Sequence, residues 1–160
     1  MLTDFNEFLQ EVKKEDFRYV VPDFRLNKAF DKLNMLSEQE KNKVEFLCNE
    51  CCWFGCKDRK QCYEIVSRKN LGEMIPDHKC NSPDAKEGYR FSKAMKNPGF
   101  ISVNDIKKIY LQWGLRILKL KDVDWVSALV LEFLLYYMVK PEYQICVREE
   151  VYLDNMLDLF

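Results

Sequence analysis

Val44-Glu45-Phe46-Leu47-Cys48 reads as a short apolar strand, and it runs without a break into Asn49-Glu50-Cys51-Cys52-Trp53-Phe54-Gly55-Cys56-Lys57-Asp58. Asp58 stands where an N-cap belongs, ahead of a helix over 59–69 on which Cys62, Ile65, Val66 and Lys69 share a face. Strand, cysteine loop and helix make one βα unit, and the same order recurs on both sides. Upstream, Phe5, Phe8, Leu9 and Val12 mark a helix over 3–13 with Thr3 as its cap. Phe17 to Val21 is a β-rich run stopped by Pro22, and Phe30, Leu33 and Leu36 space a helix over 27–36. Downstream, Phe100-Ile101 is a short strand after Pro98-Gly99. Ser102 and Asp105 resemble a capping box with Asp in place of the usual Glu. The helix they open carries Ile106, Ile109, Tyr110 and Trp113, with Gly114 suited to its C′ position. Leu115 to Leu120 is a further strand. An apolar helix follows from Asp122 or Asp124 to Val139, Lys140-Pro141 breaks it, and a last amphipathic helix covers 142–157.

Four strand–helix pairs in a row predict an α/β fold: about four parallel βα units with right-handed crossovers, plus terminal helices, in a single domain over 1–160. A closed eight-stranded TIM barrel takes about 250 residues, so this length supplies half of one. A small open three-layer sandwich is the alternative. Either gathers the strand C-termini on one edge, where sites of parallel α/β proteins collect, and the cysteine loop leaves from that edge. Residues 70–97 carry Gly72, Pro76, Pro83 and Gly88 with few apolar side chains. They read as an irregular excursion whose length implies function or a flexible insert.

Composition narrows the function classes. The 160 residues are 48% hydrophobic and 32% charged, which suits a packed core and argues against disorder. Lys and Arg number 25 against 26 Asp and Glu, so bulk positive charge does not draw this chain to nucleic acid. The basic residues Lys57, Arg59, Lys60, Arg68, Lys69 and Lys79 read as a solvated surface. The longest apolar run, Val126 to Val139, is broken by Ser127 and Glu132 and falls short of the about 20 residues of a membrane span. Asp4 and Glu7 follow Met1 too closely for a signal peptide, so a reducing, cytoplasmic setting is expected.

Cysteine is the informative excess. Of seven, six fall between Cys48 and Cys80, and the odd count argues against a disulfide framework. A metal site or a reactive thiol fits better. Cys146, in a late helix, and Cys48, at the end of an apolar run, read as small buried hydrophobes instead. Iron–sulfur clusters are held by thiolates, most often four, and Cys52, Cys56, Cys62 and Cys80 are the candidates. Cys62 falls in the first turn of its helix, where the N-terminal dipole favours thiolate. Cys80 would return from the excursion and give it a structural reason. Cys51 and Cys52 are adjacent, and adjacent residues in an extended chain point to opposite sides. Zinc competes: Cys48-x2-Cys51 has ligand spacing, and His78 precedes Cys80 by two residues, although a lone His in a polar loop is more often simply exposed. Arg59 stands where a radical S-adenosylmethionine motif would need its third Cys, so that chemistry is set aside.

The stretch from Asn49 to Tyr63 resembles a signature of bacterial barrel proteins related to the collagenase-like peptidase family. Its pattern is Asn-Glu-x-Cys-x3-Cys-x2-Arg-x2-His-Tyr after a strand, and Asn49, Glu50, Cys52, Cys56, Arg59 and Tyr63 fit it. Cys62 takes the place of the His, and Cys80 suits a further downstream Cys. Phe100-Ile101-Ser102, Asp105-Ile106, Tyr110, Gly114, Lys119-Leu120, Tyr136-Tyr137 and Lys140-Pro141-Glu142-Tyr143 extend the likeness, which spans roughly 17–145. It covers the second half of the family barrel. Lys121-Asp122 replaces the frequent Gly-Arg after the last strand, which puts an anion contact there in doubt. Members include iron–sulfur proteins, so the resemblance implies a [4Fe–4S] cluster on Cys52, Cys56, Cys62 and Cys80, and its register selects Cys52 over Cys51.

Asn49 and Glu50 sit at the strand's C-terminal end, and with Arg59 they are the candidate cofactor-binding side chains; hydrogen bonding to the loop backbone and a solvated helix surface are their plainer roles. Trp125, Tyr136 and Tyr137 read as packing. With a single His, His-based general base chemistry is disfavoured. A half-barrel exposes an apolar inner face and two strand edges. A homodimer, a partner supplying the other half, or a sheet collapsed under the terminal helices would cover them. Three functions therefore compete: an iron–sulfur-binding domain, a zinc-stabilised structural or interaction module, and a truncated, inactive relic of a larger barrel enzyme.

Overall fold

The computed structural model describes residues 4–121 and 127–157. Helix α1 (Phe5–Lys13) opens at Asp4, whose carboxylate accepts from the N–H groups of Asn6 and Glu7. Asp4 thus takes the capping role expected of Thr3, which lies outside the described residues. Phe5, Phe8 and Val12 are buried on one face, as their spacing requires. The helix expected over 27–36 is cut short: a 3-10 turn at Phe24–Leu26 precedes α2 (Phe30–Leu33), a single turn. Asn27 is the reason, since its Nδ2 donates to the carbonyls of Leu47 and Gly99, both at 2.8 Å, and ties three segments together. Helix α3 (Glu38–Lys41) starts with a Ser37–Glu40 capping box.

Strands β1 (Glu45–Leu47) and β2 (Ile117–Lys119) pair in parallel, with Phe46 opposite Leu118. The chain is therefore a mixed helix-and-strand, parallel-paired protein. The expectation of four full strands is corrected: among the described residues two form a ladder. The Phe17–Val21 segment is reduced to a parallel bridge between Val20 and Val44, because Pro22 ends it. Phe100-Ile101 is caught between Pro98-Gly99 and the Ser102 cap, and Ile101 N–H donates to the Cys48 carbonyl at 3.1 Å. Both segments still lie against β1.

After β1 come α4 (Arg59–Asn70), α5 (Phe91–Lys96) and α6 (Val103–Asp105). The expected Ser102–Asp105 capping box forms, α6 continues into a π-helical turn at Ile106–Tyr110, and Gly114 takes a positive φ of 77°. Helix α7 (Ser127–Met138) and, beyond a 3-10 turn at Pro141–Tyr143, α8 (Gln144–Leu157) complete the order. The expected starts of α7, Asp122 and Asp124, lie outside the described residues. No described helix is long and apolar enough to cross a membrane.

Alternation along β1 and β2 divides their surroundings. Phe46 and Leu118 pack in the main core with Phe8, Val12, Val20, Leu33, Val44, Cys48, Ile101, Tyr110 and Leu115. Leu47 and Lys119 face the other way, onto an open cavity of about 800 Å³ that Val21, Phe24, Arg59 and Tyr63 also line. A smaller core gathers Cys51, Ala94, Phe100 and Phe133, with the Phe91 ring 4.8 Å from that of Phe133. The excursion is irregular up to a 3-10 turn at Ala85–Glu87, and it leaves Leu71 and Met74 almost fully in water, at 79% and 101% exposure.

Gly99 sits where the two ends of this arrangement touch. A Cβ built there would lie 2.5 Å from the Phe24 carbonyl oxygen and 2.7 Å from the Phe24 ring. Gly99→Ala must push the Phe24 turn off the strand edge, and a loss of about 1–3 kcal/mol is expected, as for overpacking a tight site. The urea midpoint reads it; an unchanged midpoint with unchanged slope would show that the turn yields freely.

Candidate functional site

The loop after β1 is built around one carboxylate. Glu50, 1% exposed, accepts at Oε1 from the N–H groups of Cys51 (2.8 Å) and Cys52 (3.0 Å) and from Lys121 Nζ (3.0 Å). At Oε2 it accepts from Arg59 Nη2 (2.6 Å) and the Tyr63 hydroxyl (3.3 Å). Burial opposes its charge, but Lys121 and Arg59 outweigh burial and hold the carboxyl down at about 2. Arg59 extends the network: its Nε donates to Asp23 Oδ2 at 3.1 Å, and its guanidinium lies over the rings of Phe24 (4.6 Å) and Tyr63 (4.7 Å). Asp23 is held from its other side by Arg25, whose Nη1 donates to the Cys56 carbonyl at 3.1 Å.

Asn49 fixes the strand end. Its Oδ1 accepts from Lys121 N–H at 2.6 Å, in place of the next rung of the β1–β2 ladder, and the Tyr89 hydroxyl donates to its carbonyl. Asn97 Nδ2 donates to the Cys52 carbonyl at 2.8 Å. Asn49, Glu50 and Arg59 are thus all buried and bonded into the loop and its surroundings. Among the residues of α4 only Arg59 is buried, so this otherwise polar helix is anchored by its first turn. The expected apolar face is thin: Cys62 and Ile65 are half-buried, Val66 and Lys69 exposed. Asp58 occupies the N-cap position but its side chain does not cap the helix; its Oδ2 accepts from Asn81 Nδ2 at 2.9 Å instead. That bond pins the chain next to Cys80 against the start of α4.

The cysteines fall into separate environments. Cys48 is buried in the main core, its thiol directed to the Phe46 carbonyl and pushed up to about 12 by burial. Cys51 is buried in the smaller core, its thiol near the Arg90 carbonyl. The Cys48-x2-Cys51 pair therefore diverges. Cys52, Cys56 and Cys62 are half-buried and Cys80 is exposed. Burial raises the Cys52 thiol, Arg59 lowers it by charge and hydrogen bond, and Glu50 and Cys56 raise it further. Burial likewise raises Cys62, Cys80 and Cys56 add to that, and Arg59 and Lys121 oppose it. These four cysteines lie on three chain segments: the loop after β1, α4 and the excursion. Cys52 and Cys80 also line one small cavity of about 180 Å³ with Glu50, Tyr89 and Lys121. Among the described residues, no three His, Cys, Asp or Glu side chains stand close enough together to hold a single metal ion. Cys146 is exposed on α8, a correction to its reading as a buried hydrophobe. His78 lies half-buried in the excursion, Tyr136 and Tyr137 pack on Phe100, and Trp125 lies outside the described residues.

Sequence reasoning missed Asp23, Arg25 and Lys121 as parts of the site. Lys121, which departs from the Gly-Arg of the family pattern after β2, supplies a cation that meets Glu50. Asp23 and Arg25 come one and three residues after Pro22, and an acid–base pair just past the end of the β-rich Phe17–Val21 run is the available signal. No protein-family model, no curated protein and no solved structure matches this chain.

Proposed function

We propose that this chain is an iron–sulfur cluster-binding domain, related to barrel proteins of the collagenase-like peptidase type, in which Cys52, Cys56, Cys62 and Cys80 ligate a [4Fe–4S] cluster. The observation that carries the reading is placement: Cys52 and Cys80 line one cavity beside Lys121 at the C-terminal edge of the parallel strands, Cys56 follows in the same loop, and the Asn81–Asp58 bond holds the Cys80 segment against the start of α4, which carries Cys62. Ligands of a metal site close fully only on uptake, when the thiols give up their protons. Divergence of Cys48 from Cys51 takes away the spacing that favoured zinc. Asn49, Glu50 and Arg59 hold the ligand loop in shape beside the group. In this proposal the parallel segments are half of a barrel in a cytoplasmic protein, and a second copy or a partner carrying the other half covers the face lined by Leu47 and Lys119.

Cluster loading is expected to order the excursion, because Cys80 would then be tied to α4. Lys79 is exposed and Met74 lies wholly in water, so trypsin should cut the metal-free protein between 69 and 86. Anaerobic reconstitution with iron and sulfide should slow that cleavage at least tenfold, and an iron chelator should restore it. Equal cleavage rates in loaded and metal-free protein would remove Cys80 from the ligand set.

A further inference from the structure

The cavity of about 800 Å³ against β1 and β2 exists because the faces that meet there do not match. On the strand side Leu47 lines it together with Val21, Pro22 and Phe24. A helix lying over such a face normally offers it an apolar stripe. Helix α4 instead turns Arg59, Lys60, Tyr63, Glu64 and Ser67 to the cavity, residues whose helical spacing places them on one side. These side chains leave the space unfilled, and an apolar wall stays open to water. A cavity of this size, with an apolar wall and a few polar groups converging on it, has the make-up of a small-molecule site. Leu47 and Lys119 end their strands, so the cavity also lies where parallel α/β proteins place ligands.

The charge of the lining selects the ligand. Arg59, Lys60, Lys119 and Lys121 line the cavity with the acids Asp23 and Glu64. Ion pairs bring in Arg25 on Asp23, Glu50 on Arg59 and Lys121, and Glu45 on Lys119. Five cations then meet four carboxylates. The surplus sits around Arg59, where Arg25, Arg59 and Lys121 share Asp23 and Glu50. The buried Nη1 of Arg59 accordingly has no acceptor among the described residues. Lys121 Nζ, half-buried, uses one of its three donors on Glu50, and Lys60, exposed, makes no ion pair among the described residues. A surplus of one positive charge suits a single carboxylate better than a phosphate monoester, which carries nearly two negative charges at neutral pH.

We propose that this cavity binds a small monocarboxylate with an apolar body, its carboxylate held by Lys60 and Lys121 and its body laid on Val21, Pro22 and Leu47. No cysteine is among the lining residues, so binding there needs no cluster.

The test titrates the full, isotopically labelled chain with naphthoate and, as an aliphatic counterpart, octanoate, and follows the amide chemical shifts. At least one of the two is expected to saturate a single site, with the shifts concentrated at Val21, Leu47, Lys60 and Tyr63. Naphthamide, of the same shape without the charge, should bind about tenfold more weakly than naphthoate, and naphthyl phosphate should gain nothing over it. Lys60→Glu should weaken naphthoate by about tenfold or more and leave the affinity for naphthamide and the unfolding midpoint in place. Lys108→Glu, the same change of charge at an exposed residue that does not line the cavity, should leave naphthoate binding as in the wild type. Equal affinities for naphthoate and naphthamide, tighter binding of the phosphate, or equal losses in the two lysine variants would overturn the carboxylate assignment. No saturable binding of either carboxylate overturns the site itself, as does a dimer in which a second copy shields Val21 and Tyr63. Naphthoate bound at these residues in protein that takes up no cluster supports this site and removes the iron–sulfur reading alone.

Discussion

Glu50→Ala is expected to destabilise the fold by about 3–5 kcal/mol, the cost of breaking a buried ion pair by deleting one partner. The substitution strands the buried Arg59 and the half-buried Lys121, and it leaves the N–H groups of Cys51 and Cys52 without their acceptor. Glu50→Gln keeps an acceptor for those N–H groups but not the charge, so it should fall between the wild type and Glu50→Ala. The same carboxylate makes a pH signature. Its pKa is lowered on folding from 4.5 to about 2, because Lys121 and Arg59 overcome the burial that acts against its charge. A depressed carboxylate contributes stability that is fully present above the unfolded value and disappears as pH falls through the folded one. About 3 kcal/mol should therefore be lost between pH 4.5 and 2, and Glu50→Gln should lack that component. Urea unfolding of the two proteins at a series of pH values reads both effects. A Glu50→Ala protein within 0.5 kcal/mol of wild type, about the range of ordinary surface substitutions, would mean that the network is solvated rather than holding the loop.

The second large effect is on metal content. Cys→Ser at positions 52, 56, 62 or 80 should each abolish the visible thiolate-to-iron absorption of anaerobically reconstituted protein, since a hydroxyl at neutral pH is a poor substitute for thiolate. At positions 48, 51 and 146 the absorption per folded chain should persist. Cys48→Ser carries a separate penalty, because a hydroxyl enters the main core beside Phe46; it should lower the unfolding midpoint and leave the cluster in place. The two groups of cysteines thus respond to different assays, stability for Cys48 and Cys51 and metal content for the quartet. If Cys62→Ser keeps full occupancy while Cys48→Ser or Cys51→Ser loses it, the ligand register is shifted and a zinc-type arrangement is favoured.

Much of this site was legible because its parts obey local rules. Val44 to Cys48 reads as a strand from its apolar run, and β1 covers Glu45–Leu47. The helix expected over 59–69 covers Arg59–Asn70, and the Ser102–Asp105 box forms with both of its bonds. What was not legible depends on distant partners. Asp58 sits where a cap belongs, but Asn81, far along the excursion, takes its carboxylate. Asn27 interrupts a well-patterned helix because Leu47 and Gly99 offer it acceptors. The Glu50–Arg59–Asp23 network joins three segments, and no spacing along the chain announces it. Phe17 to Val21 has the composition of a strand, but a strand needs a ladder as well as β-propensity, and Pro22 allows a single bridge.

The most direct test is the iron and acid-labile sulfide content of protein purified without oxygen, measured together with zinc. Equal iron and sulfide at the composition of one [4Fe–4S] cluster per chain, with zinc near zero, is the predicted result. Stoichiometric zinc with no sulfide, or a folded protein holding neither metal, would contradict the iron–sulfur reading of the Cys52–Cys56–Cys62–Cys80 site.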